Sequence, residues 1–197
     1  MNFLPVIGSL VAGGYLVGSI PFGFILSRLA GLGDIRRVGS GNIGATNVLR
    51  TGRRDIALAT LVLDGAKGAA VVWYVNGFGE PGFPLIAGAA AVLGHCTSVW
   101  MLGRGGKGVA TGLGVIAAWA WPVGLACCAS WLATAYLTRR SSLASLVAFG
   151  VAPVLMMVFE RRGTAIFTLM VSLLVIGRHI GNIRRLMAGT EPRIGAS

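Results

Sequence analysis

Residues 109–137 read VATGLGVIAAWAWPVGLACCASWLATAYL, an apolar run with a single proline near its middle. As one helix rising 1.5 Å per residue, it would reach ~43 Å, well past a ~30 Å hydrocarbon core. Pro122, beside Trp119 and Trp121, offers a break flanked by interfacial aromatics. Two shorter helices therefore compete with one long tilted helix. The choice decides whether the chain crosses seven times or six.

Charge settles it. The other apolar runs fall at about 3–27, 56–75, 83–101, 143–159 and 164–180. With a hairpin at Pro122, the N-terminus outside and the C-terminus cytoplasmic, all but Arg161 and Arg162 of the 17 Lys and Arg lie on the cytoplasmic side. With one long helix, Arg139, Arg140, Arg178, Arg184, Arg185 and Arg193 move outside. Cytoplasmic loops carry the excess of Lys and Arg, so seven spans are predicted. The halves 109–120 and 123–137 are shorter than ~20 residues, which implies little tilt or a locally thinned bilayer.

Composition agrees with this class. Of 197 residues, 55% are apolar and 12% charged, with a mean hydropathy of +0.78. The chain reads as an all-α, polytopic integral membrane protein with one membrane-embedded domain over 1–197. A net charge of +11 would suggest nucleic acid in a soluble protein. No basic, aromatic-interleaved soluble region is present to carry that binding, and topology together with anionic head groups accounts for the excess. Cys96, Cys127 and Cys128 lie in apolar stretches without metal-ligand spacing and read as packing residues. The start, Met1 to Pro5, lacks the basic region of a cleaved signal peptide.

The predicted topology puts every polar cluster on one face, as a composite site requires. Gly39-Ser40-Gly41-Asn42-Ile43-Gly44-Ala45-Thr46-Asn47-Val48 is rich in glycine, hydroxyls and amides, and Arg36, Arg37, Arg50, Arg53 and Arg54 surround it. Consecutive backbone N–H groups in such turns form anion-holding concavities. A phosphate-sized ligand is the first reading and a basic lipid-facing loop the second. Gly105-Gly106-Lys107-Gly108 precedes a helix opening at Val109, a setting suited to phosphate. It is not a Walker A loop, since Met101 and Gly108 stand where Gly and Ser/Thr are needed.

Other clusters are weaker. His179 and Asn182, at i and i+3, share one helical face beside Arg178, Arg184 and Arg185. Asp64 and Lys67 are an i, i+3 ionisable pair within a span, suited to bracing or to substrate contact. His95 suits helix packing at least as well as ligand binding. Ser142 reads as a helix N-cap. A phosphorylated-solute transporter would place polar groups near mid-membrane and show an inverted repeat, and neither pattern is visible.

With these pieces in order, the chain resembles the bacterial acyl-phosphate-dependent glycerol-3-phosphate acyltransferases, the PlsY family. The resemblance rests on Gly18-Ser19-Ile20-Pro21-Phe22-Gly23, the Gly39–Val48 segment with Arg50, and Leu63-Asp64-Gly65-Ala66-Lys67-Gly68. It continues through Gly94-His95 and Gly105–Thr111 to His179, Asn182-Ile183-Arg184-Arg185-Leu186 and Gly189-Thr190-Glu191. Cys96-Thr97-Ser98 and Arg140-Ser141 depart from the family pattern.

The resemblance implies a seven-helix enzyme of the bacterial cytoplasmic (inner) membrane. It would move a fatty acyl group from acyl phosphate to the 1-hydroxyl of glycerol 3-phosphate, giving lysophosphatidate and phosphate, the first step of phospholipid biosynthesis. No cofactor or metal is implied, and an upstream acyl-phosphate-forming enzyme is a possible partner. The family's essential serine and arginine fall on Ser40 and Arg50, and its glycerol-phosphate loop on Gly105, Gly106, Lys107 and Gly108. Its third-motif histidine and asparagine fall on His179 and Asn182, its structural glutamate on Glu191 and a further serine on Ser142. Gly41, Asn42, Thr46 and Asn47 are expected to line the substrate, and Asp64, Lys67 and His95 to be structural.

Overall fold

The computed structural model describes residues 3–160 and 162–195, with the side chain of Arg162 outside that description. The terminal residues Met1 and Asn2 and the outer-side cation Arg161, all used in the topology reading, lie outside the described residues. Among the described residues ten helices follow in order: α1 (Leu4–Ser19), α2 (Phe22–Leu29), α3 (Ala45–Leu49), α4 (Arg54–Asn76), α5 (Phe83–Cys96), α6 (Val109–Trp119), α7 (Trp121–Thr138), α8 (Ser141–Phe159), α9 (Arg162–Arg178) and α10 (Ile180–Met187). Short 3-10 turns occupy Ile35–Arg37 and Val99–Met101, and no strand occurs among the described residues.

Prolines punctuate these helices where a missing N–H costs least. Pro5, Pro84 and Pro122 all sit in the first turn of a helix. The long apolar run is two helices: α6 ends at Trp119, and Ala120 leaves helical geometry with φ −137° and ψ 85°. At 11 residues α6 is too short to cross a bilayer alone. Among the described residues four segments are long and apolar enough to cross: 4–29, 54–76, 83–101 and 141–159; the bent pair α9–α10 makes five if taken as one span. The chain is an all-helical, multi-pass membrane protein.

Two compact units divide it at Trp119–Ala120. In the first, α1 lies along α5, and α4 packs on α5, α6, α2 and α3. The α1–α5 seam is built from small residues. A Cβ at Gly14 or Gly18 would strike the backbone of Ala87 or Ala91, and one at Gly94 would strike the Tyr15 carbonyl. In lipid, where apolar burial gives no advantage to helix pairing, such close approach supplies the packing. Hydrogen bonds fasten the cytosol-facing end by the sequence reading: Tyr15 Oη donates to the Thr97 carbonyl at 2.8 Å and Ser98 Oγ to the Ser19 carbonyl at 2.5 Å.

In the second unit α8 packs against both α7 and α9, burying Ala148, Phe149, Ala152 and Met156. Trp131 Nε1 donates to Ser145 Oγ at 3.1 Å. The N-cap reading of Ser142 is corrected. Arg140 occupies the cap position without side-chain capping, and Ser142 is the second helical residue, its hydroxyl buried without a well-formed hydrogen bond. A second correction concerns His179. The helix stops at Arg178 and the chain turns by 61° into α10, so His179 and Asn182 do not share one continuous helix.

Candidate functional site

Ser40 is exposed at the turn of the first polar loop, bracketed by Gly39 at φ 52° and Gly41 at φ 70°. Side chains rarely adopt that geometry, which explains glycine on both sides. The loop's shape comes from Asn47, at 2% exposure. Its Nδ2 donates to the carbonyls of Ile35 (3.0 Å), Val38 (2.9 Å) and Asn42 (2.8 Å). Its Oδ1 accepts from the Ser40 N–H at 3.0 Å and the Ser40 hydroxyl at 3.2 Å. Asn47 is therefore the loop's internal frame. Ile35, Ile43 and Val48 are buried beneath it with Ala57 and Met101.

The anion reading of this loop changes in one respect. The N–H of Ser40 is used by Asn47, and that of Gly41 by the Val38 carbonyl at 3.0 Å. Those two N–H groups are not available to an anion, and the cation lying against this turn is Arg50. A Cβ on Gly39 would sit 2.6 Å from Arg50 Cδ, so Arg50 lies against Gly39, the residue before Ser40. Thr46 is half-buried on α3 and Asn42 half-buried before it. Arg36 is committed elsewhere, gripping Asp34 at 2.6 Å and holding that carboxyl well below the usual carboxylate range. Arg28 and Arg36 both stack on the Phe24 ring.

The glycine loop 103–108 rests on the end of α5. The Gly106 N–H donates to the His95 carbonyl at 2.9 Å, and a Cβ on Gly106 would meet Nε2 of the His95 ring. Gly105 lies against the His95 and Cys96 backbone in the same way. Lys107 follows at once, half-buried, and Gly108 turns the chain into α6 at φ 83°.

Below that loop, Asp64 and Lys67 form a buried ion pair at 2.7 Å. Lys67 Nζ also donates to the Ile20 carbonyl at 2.7 Å and lies 2.9 Å from His95 Nδ1. The Ile20 carbonyl sits where Pro21 interrupts helical bonding between α1 and α2, so one ammonium ties α4, that break and α5 together. Bracing accounts for the pair.

In the second unit, His179 is 2% exposed, with Nδ1 2.8 Å from the Val175 carbonyl. A carbonyl only accepts, so Nδ1 carries a proton. Asn182 Nδ2 donates to Glu191 Oε1 at 2.6 Å, and Arg185 Nε to Glu191 Oε2 at 2.7 Å. Burial alone would raise the Glu191 pKa. Groups facing the carboxylate from Ser142, Asn182 and Arg185 outweigh it, and the net shift is downward. Glu191 is thus the fixed acceptor that orients the Asn182 amide. Arg185 as its partner was missed from sequence, because a six-residue spacing across a turn carries no periodic signal.

The geometry supports comparison with known proteins. A profile of the glycerol-3-phosphate acyltransferase family matches residues 8–189. A glycerol-3-phosphate acyltransferase of Rhodospirillum rubrum is 53% identical over 97% of this chain and 92% of the relative. One of Gluconobacter oxydans is 54% identical over 91% and 89%. Crystal structures of PlsY, an integral membrane glycerol 3-phosphate acyltransferase, cover 96% of both chains. The glycerol 3-phosphate form gives a TM-score of 0.89 at 37% identity and the lysophosphatidic acid form 0.88 at 36%.

Proposed function

The chain belongs to the glycerol-3-phosphate acyltransferase family, and on that premise we propose that it acylates glycerol 3-phosphate at the 1-hydroxyl with acyl phosphate as donor. The observation that carries this is the near-complete likeness to PlsY in forms with glycerol 3-phosphate and with lysophosphatidic acid. The hydroxyl oxygen attacks the acyl carbonyl, the acyl–phosphate C–O bond breaks, and inorganic phosphate leaves. The hydroxyl proton passes to that phosphate.

Acyl phosphate is already activated, so positioning and charge neutralisation carry the rate. Arg50 and Lys107 neutralise phosphate. Ser40 hydrogen-bonds the reacting groups. His179 and Asn182 orient the acceptor, with Glu191 holding the Asn182 amide. An acyl-serine route is disfavoured because the hydroxyl of Ser40 faces the Asn47 amide oxygen, which is no base. The same reading carries seven spans, an outside N-terminus, a cytoplasmic C-terminus, one acyltransferase domain and residence in the bacterial cytoplasmic membrane.

Purified protein given acyl phosphate and radiolabelled glycerol 3-phosphate is expected to form lysophosphatidate, with Ser40→Ala and Arg50→Ala nearly inactive. No product from acyl phosphate, with product from another acyl donor, would overturn the donor assignment. Recovery of an acyl-enzyme after rapid quenching would overturn the direct transfer.

A further inference from the structure

We propose that the buried Asp64–Lys67–His95 network is a positioning device for the glycine loop: it fixes His95 as the neutral Nε2–H tautomer, and the ring is the platform that sets Lys107. The proposal rests on the reading above that this loop holds a substrate phosphate.

The argument starts with proton counting. An ammonium has three protons and no lone pair. Two of Lys67's protons go to Asp64 Oδ1 and the Ile20 carbonyl, each at 2.7 Å. Its third partner is His95 Nδ1 at 2.9 Å, and only an acceptor nitrogen can stand there. Asp64 Oδ1, at 3.6 Å from Nδ1, is too far to claim a proton on that nitrogen. The ring proton is therefore on Nε2.

That nitrogen faces the loop. A Cβ on Gly106 would land on Nε2, and the Gly106 N–H is tied to His95's own carbonyl at 2.9 Å. The backbone at 106 is thus held from two sides by one residue, and Lys107 is the next link. A bracing role alone would need neither the tautomer nor the contact at Gly106.

The chain has two histidines, which makes the test direct. Nitrogen-15 histidine NMR of the detergent-solubilised protein, assigned with His179→Ala, is expected to show His95 protonated on Nε2 and His179 on Nδ1. An Nδ1–H or imidazolium His95 overturns the proposal. In Lys67→Met the His95 proton is expected to move to Nδ1, toward Asp64.

Kinetics provide the second arm. Misplacing a catalytic group by an ångström costs on the order of a hundredfold. Gly106→Ala is therefore expected to raise KM by at least about tenfold for whichever phosphate substrate the loop holds. Separate titrations of glycerol 3-phosphate and acyl phosphate identify which one. The same substitution is expected to cost much less in a His95→Ala background, where the ring is gone. Equal cost in both backgrounds overturns the coupling. Lys107→Ala separates the premise from the device. If neither KM responds to it, the phosphate reading of the loop fails and takes the proposal with it. If a KM responds to Lys107→Ala but not to Gly106→Ala, the positioning device alone fails.

Discussion

A side-chain amide has two protons and two lone pairs to place, and Asn47 places all of them within its own loop. Removing a buried partner leaves groups whose desolvation is uncompensated, at about 1–3 kcal/mol each. Asn47→Ala strands several at once and is expected to lower stability by about 2–4 kcal/mol while abolishing activity. Thermal unfolding in detergent checks it; lost activity with an unchanged midpoint would mean direct substrate contact instead. Glu191 allows a pH prediction. Its folded pKa lies below its ordinary value of 4.5, so its contribution is complete above that value and is lost as pH falls through the folded pKa. Glu191→Gln is expected to flatten the acid limb of the unfolding curve below about pH 4.5 and to leave neutral pH with a loosened Asn182.

Helix seams give the next scale. Gly18 and Gly13 sit on the same helix, yet a Cβ at Gly18 would meet the Ala91 backbone, while Gly13 has open space around it. Gly18→Val is expected to separate α1 from α5 at about 1–3 kcal/mol. Gly13→Ala is expected to be neutral or to stabilise by about 0.5–1 kcal/mol through helix propensity. Denaturation of the two variants side by side checks the contrast. The α6–α7 break was legible because proline and paired tryptophans announce it. The break at His179 was not, because the run 164–180 holds no proline and Arg178-His179 reads equally well as the end of one straight span. The glycines at 39, 41 and 105–108 could be read from composition. That Asn47 would take the Ser40 N–H and the His95 carbonyl the Gly106 N–H could not, since those partners depend on how the chain folds back.

Across the whole chain, orientation in the bilayer follows from charge, and it is the prediction on which six and seven spans disagree most sharply. Seven spans put Glu160 outside and Met187 in the cytoplasm, whereas six spans exchange them; Arg37 is cytoplasmic in both. The positive-inside bias strongly favours the first arrangement, since the second exports the arginines of the tail. Glu160 and Met187 are both exposed, so a cysteine at either is reachable. Cys96 and Cys127 are buried and Cys128 is half-buried, so a variant lacking Cys128 gives a clean background. With a membrane-impermeant maleimide on intact spheroplasts, Glu160→Cys is expected to label, while Met187→Cys and Arg37→Cys label only after lysis. Labelling of Met187→Cys before lysis, with Glu160→Cys protected, would make 109–137 a single crossing despite its broken helix. It would also leave the tail that carries His179, Asn182 and Glu191 facing away from the side where Arg37 lies, and the assignment of those residues to the reaction would fall with the topology.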